Sequence, residues 1–246
     1  MAKILEGRIA VVTGASRGIG RAVALKLAEA GAHIIAVART QGGLEELDDE
    51  IRKRGSTATL VPLDLTDFDG LDRLGAAIHE RWGKLDILVA NGAILGPITP
   101  VTHVQPKEWD AVMATNVTSN YRLIRSMDPL LRASDAGRAI FVSSAASWKC
   151  TAYWGPYSVS KAALDALVKT YAAEVASTPV KAMMVNPGPL RTDMRARAMP
   201  GEDPMTLKTP EDLAPHFVTL AAPSWTETGK IFDFPLNKVT THQFPG

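Results

Sequence analysis

Between residues 9 and 28 an apolar run, Ile9–Thr13, gives way to Gly14-Ala-Ser16-Arg17-Gly18-Ile19-Gly20 and then to Ala22, Val23, Leu25, Leu27 and Ala28 at helical spacing. A strand that passes through a glycine turn into a helix is the first half of a βαβ unit, and such units build parallel sheets. Glycines at the turn let the backbone come close to a pyrophosphate. The helix N-terminus behind them offers free N–H groups and the positive end of a dipole. The spacing Gly14-x-x-x-Gly18-x-Gly20 differs from the usual G-x-G-x-x-G, and a tight strand-to-helix turn needs glycine whether or not it holds a ligand.

The alternation continues along the chain. After a helix ended by Gly31, residues 32–38 read as a second strand, 44–54 as an amphipathic helix and 57–63 as a third strand, and the helix through Leu71, Leu74, Ile78 and Trp82 stops at Gly83. A fourth strand over 85–90 opens onto Asn91-Gly92-Ala93. One long helix is expected from Trp109 to Ile124, strands follow at 139–143, 180–185 and 231–234, and a helix over 210–221 precedes the last of them. Residues 193–208, polar and rich in Met, Arg and Pro, suit a substrate lid and are too few for a domain. The pattern predicts one domain over residues 1–246, an α/β doubly wound (Rossmann) fold with a seven-stranded, mainly parallel sheet.

Composition narrows the partners. Net charge is +1 with no long basic run, which argues against a nucleic acid or a membrane surface. Cys150 is the only cysteine, which excludes an intrachain disulfide or a multi-cysteine metal site. No apolar run approaches membrane-spanning length, and the first eight residues are already charged, so a soluble cytoplasmic protein acting on a small molecule is expected.

The chemistry concentrates late in the chain. Tyr157 and Lys161 stand four apart at the head of a helical pattern (Ala162, Ala163, Leu164, Leu167, Val168, Tyr171), on one face of one turn. An ammonium there is expected to lower the phenol's pKa toward working pH, and Ser144, at the end of the fifth strand, can bring a hydroxyl to the same place. Such a pair is also common as a half-buried ring beside a solvated charge. Asn116, inside the long helix, hints at a kink or a bound water. At the end of the second strand, where an NAD site has an acidic residue, the chain has Arg39-Thr40, and Arg17 adds a second cation, so NADP(H) is expected over NAD(H). Asp64 suits an adenine amino group or a cap on the helix begun at Thr66-Asp67.

Taken together, Thr13-Gly14-x-x-x-Gly18-x-Gly20, Ser144, Tyr157-x-x-x-Lys161 and Asn186-Pro187-Gly188 resemble the short-chain dehydrogenase/reductase family, in its compact single-domain branch. The resemblance implies Tyr157 as general acid or base, Lys161 as the group that lowers its pKa and holds the nicotinamide ribose, Ser144 as orienter of the carbonyl, and Asn116 as anchor of a water joining Lys161 to solvent. It implies cofactor contacts from Gly14, Ser16, Arg17, Gly18, Ile19, Gly20, Arg39, Thr40, Asp64, Leu65, Asn91, Gly92, Tyr157, Lys161, Pro187, Gly188 and Leu190, with Thr192 on the carboxamide. No metal is required. Two segments depart from the family pattern: Ala90-Asn91-Gly92-Ala93 replaces Asn-Asn-Ala-Gly, and Asp233-Phe234-Pro235-Leu236 replaces an Asp-Gly-Gly type turn.

The implied activity is hydride transfer between NADP(H) and a carbonyl or secondary alcohol. A 3-oxoacyl thioester reductase of fatty-acid synthesis and a non-catalytic dinucleotide sensor are the alternatives. A homodimer or homotetramer is expected, with Ala162, Ala163, Ala166 and Ala172 allowing close helix approach. Trp148, Tyr153, Trp154, Ile94 and Leu95 are candidate pocket walls, and Arg191, Arg195 and Arg197 either meet an acidic substrate or are simply solvated.

Overall fold

The computed structural model describes residues 3–241. Its strands are β1 (Ile9–Thr13), β2 (His33–Ala38), β3 (Ala58–Pro62), β4 (Ile87–Ala90), β5 (Arg138–Val142), β6 (Lys181–Asn186), β7 (Ile231–Asp233) and β8 (Lys238–Thr240), in the spatial order β3-β2-β1-β4-β5-β6-β7-β8. All neighbours pair in parallel except β7 and β8. Among the described residues the sheet therefore has eight strands, where the sequence pattern predicts seven. The extra one, Lys-Val-Thr, is three residues long and at most half-buried, so it shows no apolar run. It folds back through a turn in which Asn237 takes φ 48° and Asp233 accepts the Leu236 N–H at 3.1 Å.

The helices that position the site are α1 (Gly18–Glu29), α2 (Gln41–Lys53), α3 (Phe68–Trp82), α4 (Pro106–Met113), α5 (Ser119–Arg132), α6 (Ala146–Lys149), α7 (Gly155–Glu174), α8 (Asp193–Ala198) and α9 (Pro210–Ala221). They cover the sheet on both faces. Alternate residues of one strand feed opposite cores: Ala10 and Val12 pack with α1, α2 and α9, whereas Ile9 and Val11 pack with α3, α5 and α7. Burial on both sides explains the unbroken apolar runs of β1 and β5, whose residues are all buried. Connections run outward in both directions from β1 and β4, and this reversal opens a crevice beyond their carboxyl ends.

The long helix expected over 109–124 is two helices, α4 and α5, joined by a π-helical segment at Ala114–Thr118 with Asn116 at its centre. The disruption that a mid-helix asparagine suggests is thus present. Among the described residues no helix is long and apolar enough to cross a membrane.

Candidate active site

The crevice is floored by the glycine turn after β1. Gly14 and Gly18 take φ +64° and +55°, conformations that disfavour a side chain. A Cβ on Gly20 would lie 2.2 Å from the Gly14 carbonyl oxygen and 2.6 Å from Asn91 Nδ2, so α1 starts this close to β1 only with glycine there. Arg17 is the N-cap of α1, with no side-chain cap and no acidic residue in the first turn. The N–H groups of Gly18, Ile19 and Gly20 thus face outward without a carboxylate competitor, which fits the pyrophosphate of a dinucleotide. Ser16 lies on this turn beside Gly43 of α2.

The second asparagine-bearing segment works mainly as a brace. Thr13 Oγ1 accepts the N–H groups of Asn91 and Gly92, both at 3.0 Å, and Asn91 Nδ2 donates to the Thr13 carbonyl at 2.9 Å. Leu65 is buried against Gly92, where an added Cβ would meet its Cδ1 at 2.5 Å. Arg39, at the end of β2, is 3.9 Å from Asp64, and both side chains are about half exposed or more. Thr40 is the N-cap of α2. Asp64 does not cap α3. Its carboxylate accepts from the Thr66 N–H and hydroxyl, which hold it below its ordinary pKa, while Asp67 is the cap and accepts from Gly70 N–H at 2.9 Å.

Across the crevice, Asn186-Pro187-Gly188 ends β6. Asn186 Oδ1 accepts from the N–H groups of Ala145 and Gly188, and its amide donates to Asp233 at 3.0 Å, so one side chain joins β6, β7 and the segment after Ser144. Leu190 is buried, and Thr192 caps α8 by accepting Arg195 N–H at 3.2 Å. A Cβ on Gly18 would lie 3.7 Å from Thr192 Cγ2, which brings the segment after β6 directly over the glycine turn.

Tyr157 and Lys161 occupy the first turns of α7 and are buried, with 8% and 2% exposure. Lys161 Nζ donates to the Val142 carbonyl at 2.8 Å and lies 5.6 Å from the centre of the Tyr157 ring. The Ser144 hydroxyl bonds the phenol and favours its ionised form, yet burial outweighs it and pushes Tyr157 up to about 12. Burial also pushes Lys161 down to about 8, against the opposing pull of Asp165. The expected lowering of the phenol's pKa by Lys161 is therefore corrected. The ammonium is engaged by a strand carbonyl, and desolvation drives both groups toward their neutral forms.

Asn116 is fully buried. Its Oδ1 accepts Ile94 N–H at 2.9 Å, and its Nδ2 donates to the Ile94 carbonyl and to Ser160 Oγ at 2.8 and 3.0 Å. Both amide protons are committed, so a water could donate only to Oδ1 or to the backbone carbonyl, each of which already accepts one hydrogen bond, from Ile94 and Asn120. The side chain locks the segment after β4 onto α7.

Sequence reasoning missed Asp165, one turn beyond Lys161. Its carboxylate accepts from Ser143 and Ser147, the residues on either side of the Ser144 turn, and all three are buried. The available signal was an acid set in an otherwise apolar helical face, four residues after a lysine. Among the candidate walls, Leu95 and Trp154 pack beside Tyr157, Trp148 packs instead into the core under α7, and Tyr153 is 57% exposed.

A profile of the short chain dehydrogenase family matches residues 8–203. The uncharacterized oxidoreductase YciK of Escherichia coli K12 is 36% identical over 234 residues, covering 94% of this chain and 92% of that protein. The 3-oxoacyl-[acyl-carrier-protein] reductase FabG of Vibrio harveyi is 34% identical over 227 residues, covering 89% of this chain and 91% of its own length. Among solved structures, a short chain dehydrogenase of Shigella flexneri 2a complexed with NADP superposes with a TM-score of 0.91 at 35% identity, over 95% of this chain and 99% of that one. A counterpart from Escherichia coli CFT073 complexed with NADPH gives 0.90 at 35% identity, over 95% and 98%. With the glycine turn, the doubly wound sheet and the Ser144, Tyr157 and Lys161 cluster at its crevice, these matches identify the chain as an oxidoreductase of the short chain dehydrogenase family.

Proposed function

We propose that this protein transfers hydride between NADP(H) and a carbonyl or secondary alcohol, with Tyr157 as the general acid or base. The observation that carries this reading is the gathering of the Tyr157 phenol, the Ser144 hydroxyl and the Lys161 ammonium in one largely buried site at the carboxyl end of β5. The nicotinamide, when bound, supplies or accepts the hydride. In reduction Ser144 steadies the carbonyl oxygen, and Tyr157 gives its proton to that oxygen as negative charge develops. The charge left on the phenolate is then balanced by Lys161, while Asp165 and Asn116 hold the two strand-end segments against α7. Fluorescence titration with NADPH and NADH, followed by an absorbance screen of carbonyl compounds, tests the reading. NADPH binding without turnover of any carbonyl would count against it.

The protonation states set a direction. With its pKa near 12, Tyr157 is a protonated donor at neutral pH, ready for reduction, whereas oxidation needs the phenolate. The oxidation rate is expected to climb with pH up to about 8, roughly tenfold per unit at most, while the reduction rate stays level below that pH and falls above it, where Lys161 loses the charge that balances the phenolate. Steady-state kinetics in both directions would check this.

Arg39 supports NADP(H) preference, since its exposed guanidinium stands where an acidic residue would meet a ribose 2′-hydroxyl and makes only a loose contact with Asp64. Arg39→Ala is expected to raise the KM for NADPH by about 10- to 100-fold, the worth of a charge-assisted hydrogen bond, with little change for NADH. A thioester reductase is the second reading, favoured by the likeness to the Vibrio harveyi enzyme. Reduction of an acetoacetyl thioester far faster than simple ketones would select it.

Association through α7 completes the proposal. Val159 and Tyr121 are 43% and 50% exposed, and Ala162, Ala163 and Ala166 leave that flank low, whereas Ala172 is already buried within the chain. Light scattering is expected to return a dimer or tetramer, and a monomer would overturn the assignment.

A further inference from the structure

If Tyr157 protonates a carbonyl, as proposed for this site, its surroundings govern which carbonyl compounds enter, and the substrate class rests on that carbonyl-reductase reading. Leu95 and Ala146 are buried beside the phenol, and Trp154, Met194 and Ala198 pack onto the same small cluster. Trp154 meets the Tyr157 ring edge-on, with centroids 6.0 Å apart. Met194 and Ala198 are one turn apart on α8, so that helix turns one apolar face to the phenol. The segment carrying α8 is closed at its base, where Leu190 bridges to Lys208 and Arg191 N–H donates to the Lys208 carbonyl at 2.9 Å. It is a loop with fixed ends whose apolar face covers the reacting group.

Three charged side chains of this loop, Arg191, Asp193 and Arg195, are engaged elsewhere. Arg195 holds Glu202 through two hydrogen bonds of 2.5 and 2.6 Å. Arg191 donates to the carbonyls of Pro204 and Leu207 at 2.9 and 3.4 Å, and Asp193 pairs with Arg17 at 3.3 Å. Arg197 is exposed to solvent. A carboxylate entering here would have to break the Arg195 pair, draw Arg197 out of solvent or stay unpartnered against apolar walls, and each of these costs desolvation.

We infer that the substrate carries its reactive carbonyl next to an uncharged apolar group, aromatic or branched aliphatic, which takes the place of Met194 and Ala198 against Leu95, Ala146 and Trp154 when the loop over residues 190–208 lifts. Such a group recovers the apolar burial that the loop gives up, and an anionic group does not.

A matched pair tests this. Protein loaded with NADP is heated with ethyl mandelate or with mandelate, which share a ring and carbinol and differ in charge. Initial rates with NADPH are then compared for ethyl benzoylformate and benzoylformate. The ester alone is expected to raise the melting temperature, and kcat/KM is expected to favour the keto ester by about tenfold or more. Met194→Lys, which sets a cation on the covering face, is expected to narrow or reverse that ratio. Equal stabilisation by mandelate, stabilisation by neither, or a ratio unmoved in a folded M194K would overturn the inference. If M194K does not fold, the pair on the native protein still decides. Selective stabilisation by the ester with turnover of neither keto compound would leave the apolar-substrate inference standing and sink carbonyl reduction instead.

Discussion

Tyr157→Phe is expected to lower kcat by about 10²- to 10⁴-fold, the range for losing a positioned proton donor, and to leave NADPH affinity unchanged. The ring of Phe keeps every apolar contact that Tyr157 makes with Leu95, Ala146 and Trp154, so the pocket stays packed. What disappears is one oxygen, and with it the proton that reaches the substrate. Lys161 is held by the Val142 carbonyl and does not stand in for it. Nucleotide titration by fluorescence and kcat on the best carbonyl substrate separate the two effects. Retained turnover would move the proton transfer to another group. A native protein that binds NADPH, turns over nothing and behaves like the variant would instead be a dinucleotide sensor.

Arg138→Met is expected to destabilise the fold by about 3–5 kcal/mol, because several buried carbonyls lose their donor together. Arg138 is 3% exposed at the first position of β5. Its guanidinium donates to the carbonyls of Gly137, Pro179, Ala222, Pro223 and Trp225, at 2.8 to 3.2 Å. One side chain thereby closes the amino-terminal edge of the sheet against the segments before β6 and after α9. Burial presses its pKa below the ordinary value, with the nearby Arg8 adding to the effect. Methionine fills a similar volume and offers no donor. In thermal unfolding the loss corresponds to about 6–10 °C in a chain of this length. Because Arg138 lies at the opposite end of β5 from Ser144, kcat at 25 °C should be unaltered, and a fall in kcat matching the fall in stability would refute that separation.

The elements read most easily from the chain were those whose neighbours bury them completely. β1, β2, β5 and β6 carry apolar residues on both faces, so their runs stand out against any background. β8, half-buried and three residues long, has no such signature and exists because β7 offers it an edge. Asn116 showed as a flaw in a helical pattern, but that the flaw is a π-helical segment locked to Ile94 and Ser160 depends on a strand end and a helix brought together by folding. Likewise the sequence offers Asp64 as a cap, and only the geometry at Gly70 gives that role to Asp67.

By itself the sequence determined the winding of the fold, the glycine turn, the shared helical face of Tyr157 and Lys161 and the basic residue at the end of β2. These rest on periodicity and spacing, which are local properties of a chain. Only the tertiary structure decided that the phenol's pKa rises, that Asp165 and Asn186 brace the Ser144 segment, and that Arg191 and Arg195 are bound to their own loop. Those outcomes depend on how dry the site is and on which distant groups meet in it, and neither is written in the order of residues along any one segment.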